Sequence, residues 1–357
     1  MRIVQLIDSL EAGGAERMAV NYANVLSEKI AFSGLVATRK EGVLKNQLNE
    51  GVQYLFLNKK KALDINALFR LRQFIKGNNV KIIHAHGTSF FTAVLLKFIV
   101  PGIKIVWHDH NGNRSSQKMS SNKVLRFCSY FFNSILVVNK ELAQWAEKNL
   151  ATKKVLYVPN FTIIADNEKQ QTLLKGEEGK RIVCLSNLRH PKNHLTIVRA
   201  FCTTNLAKKG WTLHFIGKDY KDEYSDALKK CIFEKNAEAS IHVYDSCPDI
   251  FHILKQATVG VLGSYYEGFP VALLEYGLSG LAVISTNVGF CKEIIHHNQN
   301  GLLFDPNDVF SLENGFVTLC ENAIMEERFG SQLKKDVEEN YSVNVVINTI
   351  MQHYQSI

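Results

Sequence analysis

Thr258-Val259-Gly260-Val261-Leu262 runs into Gly263-Ser264-Tyr265-Tyr266-Glu267-Gly268-Phe269-Pro270 and then into Val271-Ala272-Leu273-Leu274-Glu275-Tyr276-Gly277. A β-branched run, a polar turn and an apolar stretch of helical spacing follow one another, which reads as strand, loop and helix. The same rhythm extends in both directions. Runs of this kind recur from Arg2–Asp8 through Lys81–His84 and Lys104–Trp107 to Lys154–Val158, and again from Arg181–Leu185 to Gly301–Phe304. Strands alternating with helices predict parallel sheets built from βαβ units. The polar interval Asp166 to Lys180 reads as a linker, and Ser311 to Ile357 as helices with no further strand. The expected class is α/β: doubly wound domains over residues 1–165 and 181–340, joined by 166–180, with a helical tail at 341–357 that packs back on the first domain.

The 357 residues, 46% apolar and 21% charged, exclude a disordered or fibrous chain. Residues 1–165 hold 23 Lys/Arg against 10 Asp/Glu, and residues 166–357 hold 19 against 24. The positive charge therefore lies wholly in the first part, which should favour an anionic surface or ligand. No helix-turn-helix, zinc or base-stacking motif accompanies that charge, so nucleic acid is not an expected partner. Seven cysteines, widely spaced and without a CxxC pair, argue against a disulfide framework and fit a reducing cytosol. The short run after Met1-Arg2 is not a signal peptide. Phe90 to Val106 is broken by Lys97, Pro101-Gly102 and Lys104, so no membrane span is expected.

In open parallel sheets, ligands bind beyond the carboxyl ends of the strands. Gly13-Gly14, His86, His108-Asp109-His110, Arg189 with Lys192, Gly217 and Glu267-Gly268 all fall on that edge, and two such edges facing each other would make one cleft. Pro270 suits the first turn of a helix whose amides would point at an anion. Two carboxylates beside a phosphate would repel it, so hydroxyls are the expected partners: a sugar for Glu267 and a ribose diol for Glu275. Arg189 and Lys192 open another helix and can neutralise a diphosphate leaving group. The first loop is not GxGxxG and no acidic residue ends the second strand, which argues against dinucleotide binding. With no Asp-x-Asp and no carboxylate cluster, no metal is expected. Lys118 to Phe132 is basic and aromatic at roughly helical spacing, which suits either an anionic bilayer or ordinary packing on the sheet.

In this order, Gly13-Gly14-Ala15-Glu16-Arg17, Ile83-His84-Ala85-His86, His108-Asp109, Val158-Pro159-Asn160, the Leu188 to Lys192 loop, Glu267 with Glu275, and Asn300-Gly301-Leu302-Leu303 resemble the retaining, nucleotide-sugar-dependent glycosyltransferases of family 4, which have the GT-B fold. The resemblance covers almost the whole chain. It implies that Glu275 binds the donor's ribose, Glu267 the transferred sugar and Lys192 the diphosphate. Gly14 would offer its backbone N–H to the same phosphates, and Gly268, Phe269, Pro270 and Val271 would also contact the donor. His108 resembles the family's active-site histidine, and Gly13, Arg17, His86 and His110 are the expected acceptor contacts. Asn187 stands where the family often has Arg, with Arg189 as its expected substitute, and Phe161 replaces a glycine.

The activity so implied is retaining transfer from a UDP- or GDP-sugar to a lipid-linked or saccharide acceptor, in bacterial-type surface polysaccharide assembly. No cofactor or metal is expected beside the nucleotide sugar. The expected site of action is cytoplasmic, at the inner membrane face. Alternatives of the same fold are a nucleotide-sugar 2-epimerase, a sugar phosphorylase or a non-catalytic nucleotide-sugar-binding subunit.

Overall fold

Ile3, Val4, Leu6 and Ile7 of the first strand, β1 (Arg2–Ser9), are all buried. A strand buried on both faces needs parallel neighbours and helices on either side. The computed structural model describes residues 1–11, 13–111, 114, 122–163 and 170–357, and it meets that need twice. One compact unit is Met1–Phe161 with Val343–Ile357; the other is Thr162–Ser342.

In the first unit, β1 is joined by β2 (Phe32–Lys40), β3 (Val52–Phe56), β4 (Ile82–His86), β5 (Lys104–Asp109), β6 (Ser134–Val137) and β7 (Val155–Tyr157). They form a seven-stranded parallel sheet in the order β3-β2-β1-β4-β5-β6-β7. The chain moves outward from β1 and then returns to β4, so β1 and β4 flank the switch point where ligands bind in such sheets. Right-handed crossovers put α1 (Gly14–Lys29) on one face, with α2 (Ile65–Gly77), α3 (Phe90–Ile99), α4 (Lys123–Cys128) and α5 (Lys140–Asn149) on the other.

The second unit has β8 (Arg181–Leu185), β9 (Thr212–Ile216), β10 (Ile241–Tyr244), β11 (Val259–Leu262), β12 (Ala282–Thr286) and β13 (Leu302–Phe304). Their order, β10-β9-β8-β11-β12-β13, repeats the plan with a switch between β8 and β11. The helices are α6 (His194–Thr203), α7 (Glu223–Glu234), α8 (Ile250–Lys255), α9 (Val271–Leu278), α10 (Cys291–Ile294), α11 (Val309–Cys320) and α12 (Ala323–Tyr341). Phe201, Phe215, Phe316 and Phe329 fill the core between sheet and helices. Of the interval read as a linker, residues 166–169 lie outside the described residues. Beyond them the backbone N–H groups of Gln171 and Thr172 donate to the Asp249 carboxylate at 2.8 and 2.7 Å.

The last helix, α13 (Val343–Gln355), rejoins the first unit. Its Tyr354 and the Tyr22 ring of α1 both contact His84, so α13 covers the same sheet face as α1. Among the described residues, no helix is long and apolar enough to cross a membrane.

Candidate active site

Because β8 and β11 are neighbours, the loops that follow them lie side by side. Tyr265 N–H donates to the Pro191 carbonyl at 2.9 Å, and the His190 ring stacks on Tyr265 with centroids 5.7 Å apart. This contact brings Lys192 Nζ to 2.5 Å from Glu267 Oε1, which also accepts from Ser264 Oγ at 2.6 Å. The Lys192 and Glu267 side chains are 18% and 10% exposed and paired with each other. Two glycines permit the packing. At Gly289, φ is +51° and a Cβ would stand 1.8 Å from the Glu267 carbonyl oxygen. At Gly217, φ is +156° and a Cβ would meet the Ser186 carbonyl oxygen at 2.3 Å.

α9 has no side-chain cap, as is also true of α1, α3, α4, α8 and α10, and in α6 the His194 N–H donates to the Tyr224 hydroxyl at 2.9 Å, whereas Asp or Asn caps α2, α5, α7, α11 and α12. An uncapped N-terminus leaves amide donors and a partial positive charge for a ligand. Pro270 occupies the cap position of α9, one residue before the first turn in which the sequence places it. Phe269 is wedged between Phe290, stacked at 4.6 Å, and Tyr341. Glu275 is buried in α9, and Arg189 is exposed. Asn187 Oδ1 accepts from Lys218 N–H at 3.0 Å and ties this loop to the one after β9.

The first unit carries a different constellation. Side chains two residues apart on a strand share a face, and β4 pairs with β5 so that His86 lies opposite His108. His84, His86, His108 and His110 therefore form an array on one sheet face. His84 Nε2 lies 3.1 Å from His108 Nδ1, and His86 Nδ1 lies 2.9 Å from His110 Nε2. Gln5 Oε1 is 2.8 Å from His86 Nε2, and the Tyr354 hydroxyl is 2.7 Å from His84 Nδ1. Tyr22 packs its ring against His84, His86 and His108. His84, His86 and His108 are close enough to share an ion. Both nitrogens of His84 and of His86, and Nδ1 of His108, already have hydrogen-bond partners.

The sequence singled out His86, His108 and His110 but not the partners that orient them: Gln5, Tyr22 and Tyr354, with His84 noted only as part of a motif. The alternation of His84/His86 and His108/His110 was the available signal for the array. Gly13 caps α1 beneath the Glu16 carboxylate, where a Cβ would come 2.2 Å from Oε2. At Gly14 a Cβ would meet nothing within 4 Å. Arg17 is half-buried in the first turn.

Burial, reinforced by the neighbouring imidazoles, pushes His84, His86 and His108 well below the ordinary histidine range, and burial takes His110 down to about 3. In the second unit burial lowers His194 to about 4 and His214 to about 3. Below about pH 6.5 the unfolded chain thus binds more protons than the folded one, and stability falls as pH drops towards the folded values. Each such imidazole contributes up to about 1.4 kcal/mol per pH unit in that window. The urea midpoint should therefore drop steeply from about pH 7.5 to about pH 5.5; a flat midpoint would mean that the array titrates normally.

Two doubly wound sheets result, one bearing a cation–carboxylate pair at its switch point and the other a histidine array. Anabaena HepE, crystallised with UDP and glucose, shares this fold with a TM-score of 0.82 over 100% of both chains at 14% identity. Residues 12–164 match the family described as Glycosyltransferase Family 4, and residues 165–336 match Glycosyl transferases group 1. The chain belongs to the group 1 glycosyltransferases of family 4.

Among its relatives is the Escherichia coli UDP-Gal:alpha-D-GlcNAc-diphosphoundecaprenol alpha-1,3-galactosyltransferase, 22% identical over 90% of this chain and 88% of that one. The Escherichia coli O-antigen biosynthesis glycosyltransferase WbnH is 21% identical over 85% and 86%.

Proposed function

We propose that the protein transfers a sugar, with retention, from a nucleoside diphosphate sugar to a hydroxyl of a lipid-linked or saccharide acceptor during assembly of a bacterial-type surface polysaccharide. The Lys192–Glu267 pair carries this reading: one loop system holds both a cation for the leaving diphosphate and a carboxylate for the sugar's hydroxyls. Relatives that use a UDP-sugar and a diphosphoundecaprenol acceptor, or that build O-antigen, support it. In this scheme Glu275 takes the ribose diol, and Arg189 and the amides of Gly268, Phe269 and Val271 join Lys192 around the diphosphate. The anomeric C–O bond breaks with its electron pair leaving on the diphosphate. The acceptor oxygen attacks the same face and gives its proton to the departing phosphate oxygen. His108, with His86, His110, Gly13 and Arg17, serves the acceptor side.

The outer surface of the first unit supports a membrane-borne acceptor. α3 packs between α2 and α4, and none of the three contains an Asp or Glu. Ile65, Phe69, Phe98, Val124, Phe127 and Tyr130 are exposed there. Phe131 bridges Phe98 and Phe127 with ring centroids 5.0 and 5.7 Å away. Arg70, Arg72, Lys76, Lys97, Lys123 and Arg126 surround these side chains in sequence. Aromatics within cationic surface suit an anionic lipid headgroup layer at the cytoplasmic membrane face. Residues 118–121 of the basic aromatic segment lie outside the described residues.

One assay tests both parts. The protein is incubated with UDP- or GDP-sugars and a polyprenyl-diphosphate sugar in neutral or anionic vesicles. Nucleoside diphosphate should be released only when the acceptor is present, and faster on anionic vesicles. Conversion of donor without acceptor would replace transfer by epimerisation or hydrolysis, and equal rates on both vesicles would remove the membrane surface.

A further inference from the structure

The two histidine ladders end in opposite hydrogen-bond polarity. In the first, Tyr354 Oη meets His84 Nδ1 and His84 Nε2 meets His108 Nδ1. A phenol is a stronger acid than a neutral imidazole N–H, so the tyrosine donates. His84 Nδ1 then accepts, its Nε2–H donates to His108 Nδ1, and the proton of His108 must sit on Nε2. In the second ladder Gln5 Oε1 can only accept, so His86 donates from Nε2. His86 Nδ1 therefore accepts from His110 Nε2–H, and His110 Nδ1 keeps a bare lone pair.

These two terminal atoms, His108 Nε2 and His110 Nδ1, are buried and have no hydrogen-bond partner among the described residues. The rings that carry them have centroids 4.0 Å apart. Buried polar atoms are normally paired, and the rings that carry this donor and this acceptor are adjacent, so one partner that both accepts and donates would satisfy the two. A hydroxyl, of a ligand or of water, does both, accepting from one and donating to the other.

We infer that His108 and His110 read a ligand hydroxyl as a donor–acceptor pair, and that Tyr354, through His84, and Gln5, through His86, are positioning residues that fix this polarity. The inference deepens the proposed function and rests on it for the identity of the ligand, a hydroxyl of the acceptor. The ladder itself stands on geometry alone. Tyr354 belongs to the last helix and is 270 residues from His84 in sequence, so this end of the chain sets the tautomer of a residue in the site.

Imidazole ¹⁵N correlation spectra of the full-length protein test it. All four histidines should be neutral Nε2–H tautomers in the parent. Tyr354→Phe, which deletes one hydroxyl, should turn His84 and His108 into tautomer mixtures, and should change His86 and His110 less, because Gln5, which also meets that hydroxyl, still accepts from His86. It should also lower kcat/KM about tenfold, the scale of one lost hydrogen bond. His84→Gln retains an N–H donor for His108 and should restore its Nε2–H form; if Tyr354→Phe fails to fold, this variant decides the matter. An Nδ1–H His108 in the parent, unchanged tautomers in Tyr354→Phe, or zinc-dependent shifts of His84, His86 and His108 would each overturn the ladder. Altered tautomers with an unchanged kcat/KM would leave the ladder standing and remove His108 from the proposed function.

Discussion

Lys192→Ala should lower the transfer rate by about 10²–10³-fold, the effect of deleting one preorganised charge that meets a developing anion. Lys192 Nζ lies 2.5 Å from Glu267 Oε1 with both side chains mostly buried, so its charge acts in a medium that screens it less than water does. Deleting one partner leaves the other partly uncompensated, which should cost stability by at most about 3 kcal/mol, because Ser264 Oγ still donates to the carboxylate. Glu267→Gln should remove the charge that the sugar reads while keeping the loop in place. If the two residues act as a unit, the double variant will be little slower than the worse single one. Turnover within about threefold of the parent for Lys192→Ala would exclude the lysine from the reaction. The readouts are single-turnover nucleotide release and thermal denaturation.

Gly289→Ala should destabilise the second unit by about 2–4 kcal/mol and abolish transfer, although no ligand contact is assigned to Gly289. Its φ of +51° is costly for any residue with a Cβ, and that Cβ would stand 1.8 Å from the Glu267 carbonyl oxygen. Relief requires the Glu267 backbone to move and the Lys192–Glu267 pair with it. Gly87 separates the two causes: φ is +53° but a Cβ would meet nothing within 4 Å. Gly87→Ala should therefore cost only the backbone strain, about 1 kcal/mol. Equal melting temperatures for the two variants would show that the predicted clash is relieved without cost.

The sequence by itself determined the class of fold and the loops that carry the chemistry. Apolar runs alternating with helical spacing dictate parallel strands, and parallel strands place their following loops at one edge, so Lys192, Glu267 and the His-x-His segments were legible as loop or strand-end residues. Their partners were not. Lys192 meets Glu267, 75 positions further along the chain, because β11 inserts beside β8 while β9 and β10 lie on the other side. Tyr354 reaches His84 because α13 lies on the face that α1 leaves open to it. Local patterns fix which residues a strand or helix exposes; strand order and helix docking, set by burial of the whole chain, decide which of those residues touch. The ion pair, the glycine beneath it and the polarity of the histidine array therefore belong to the tertiary structure alone.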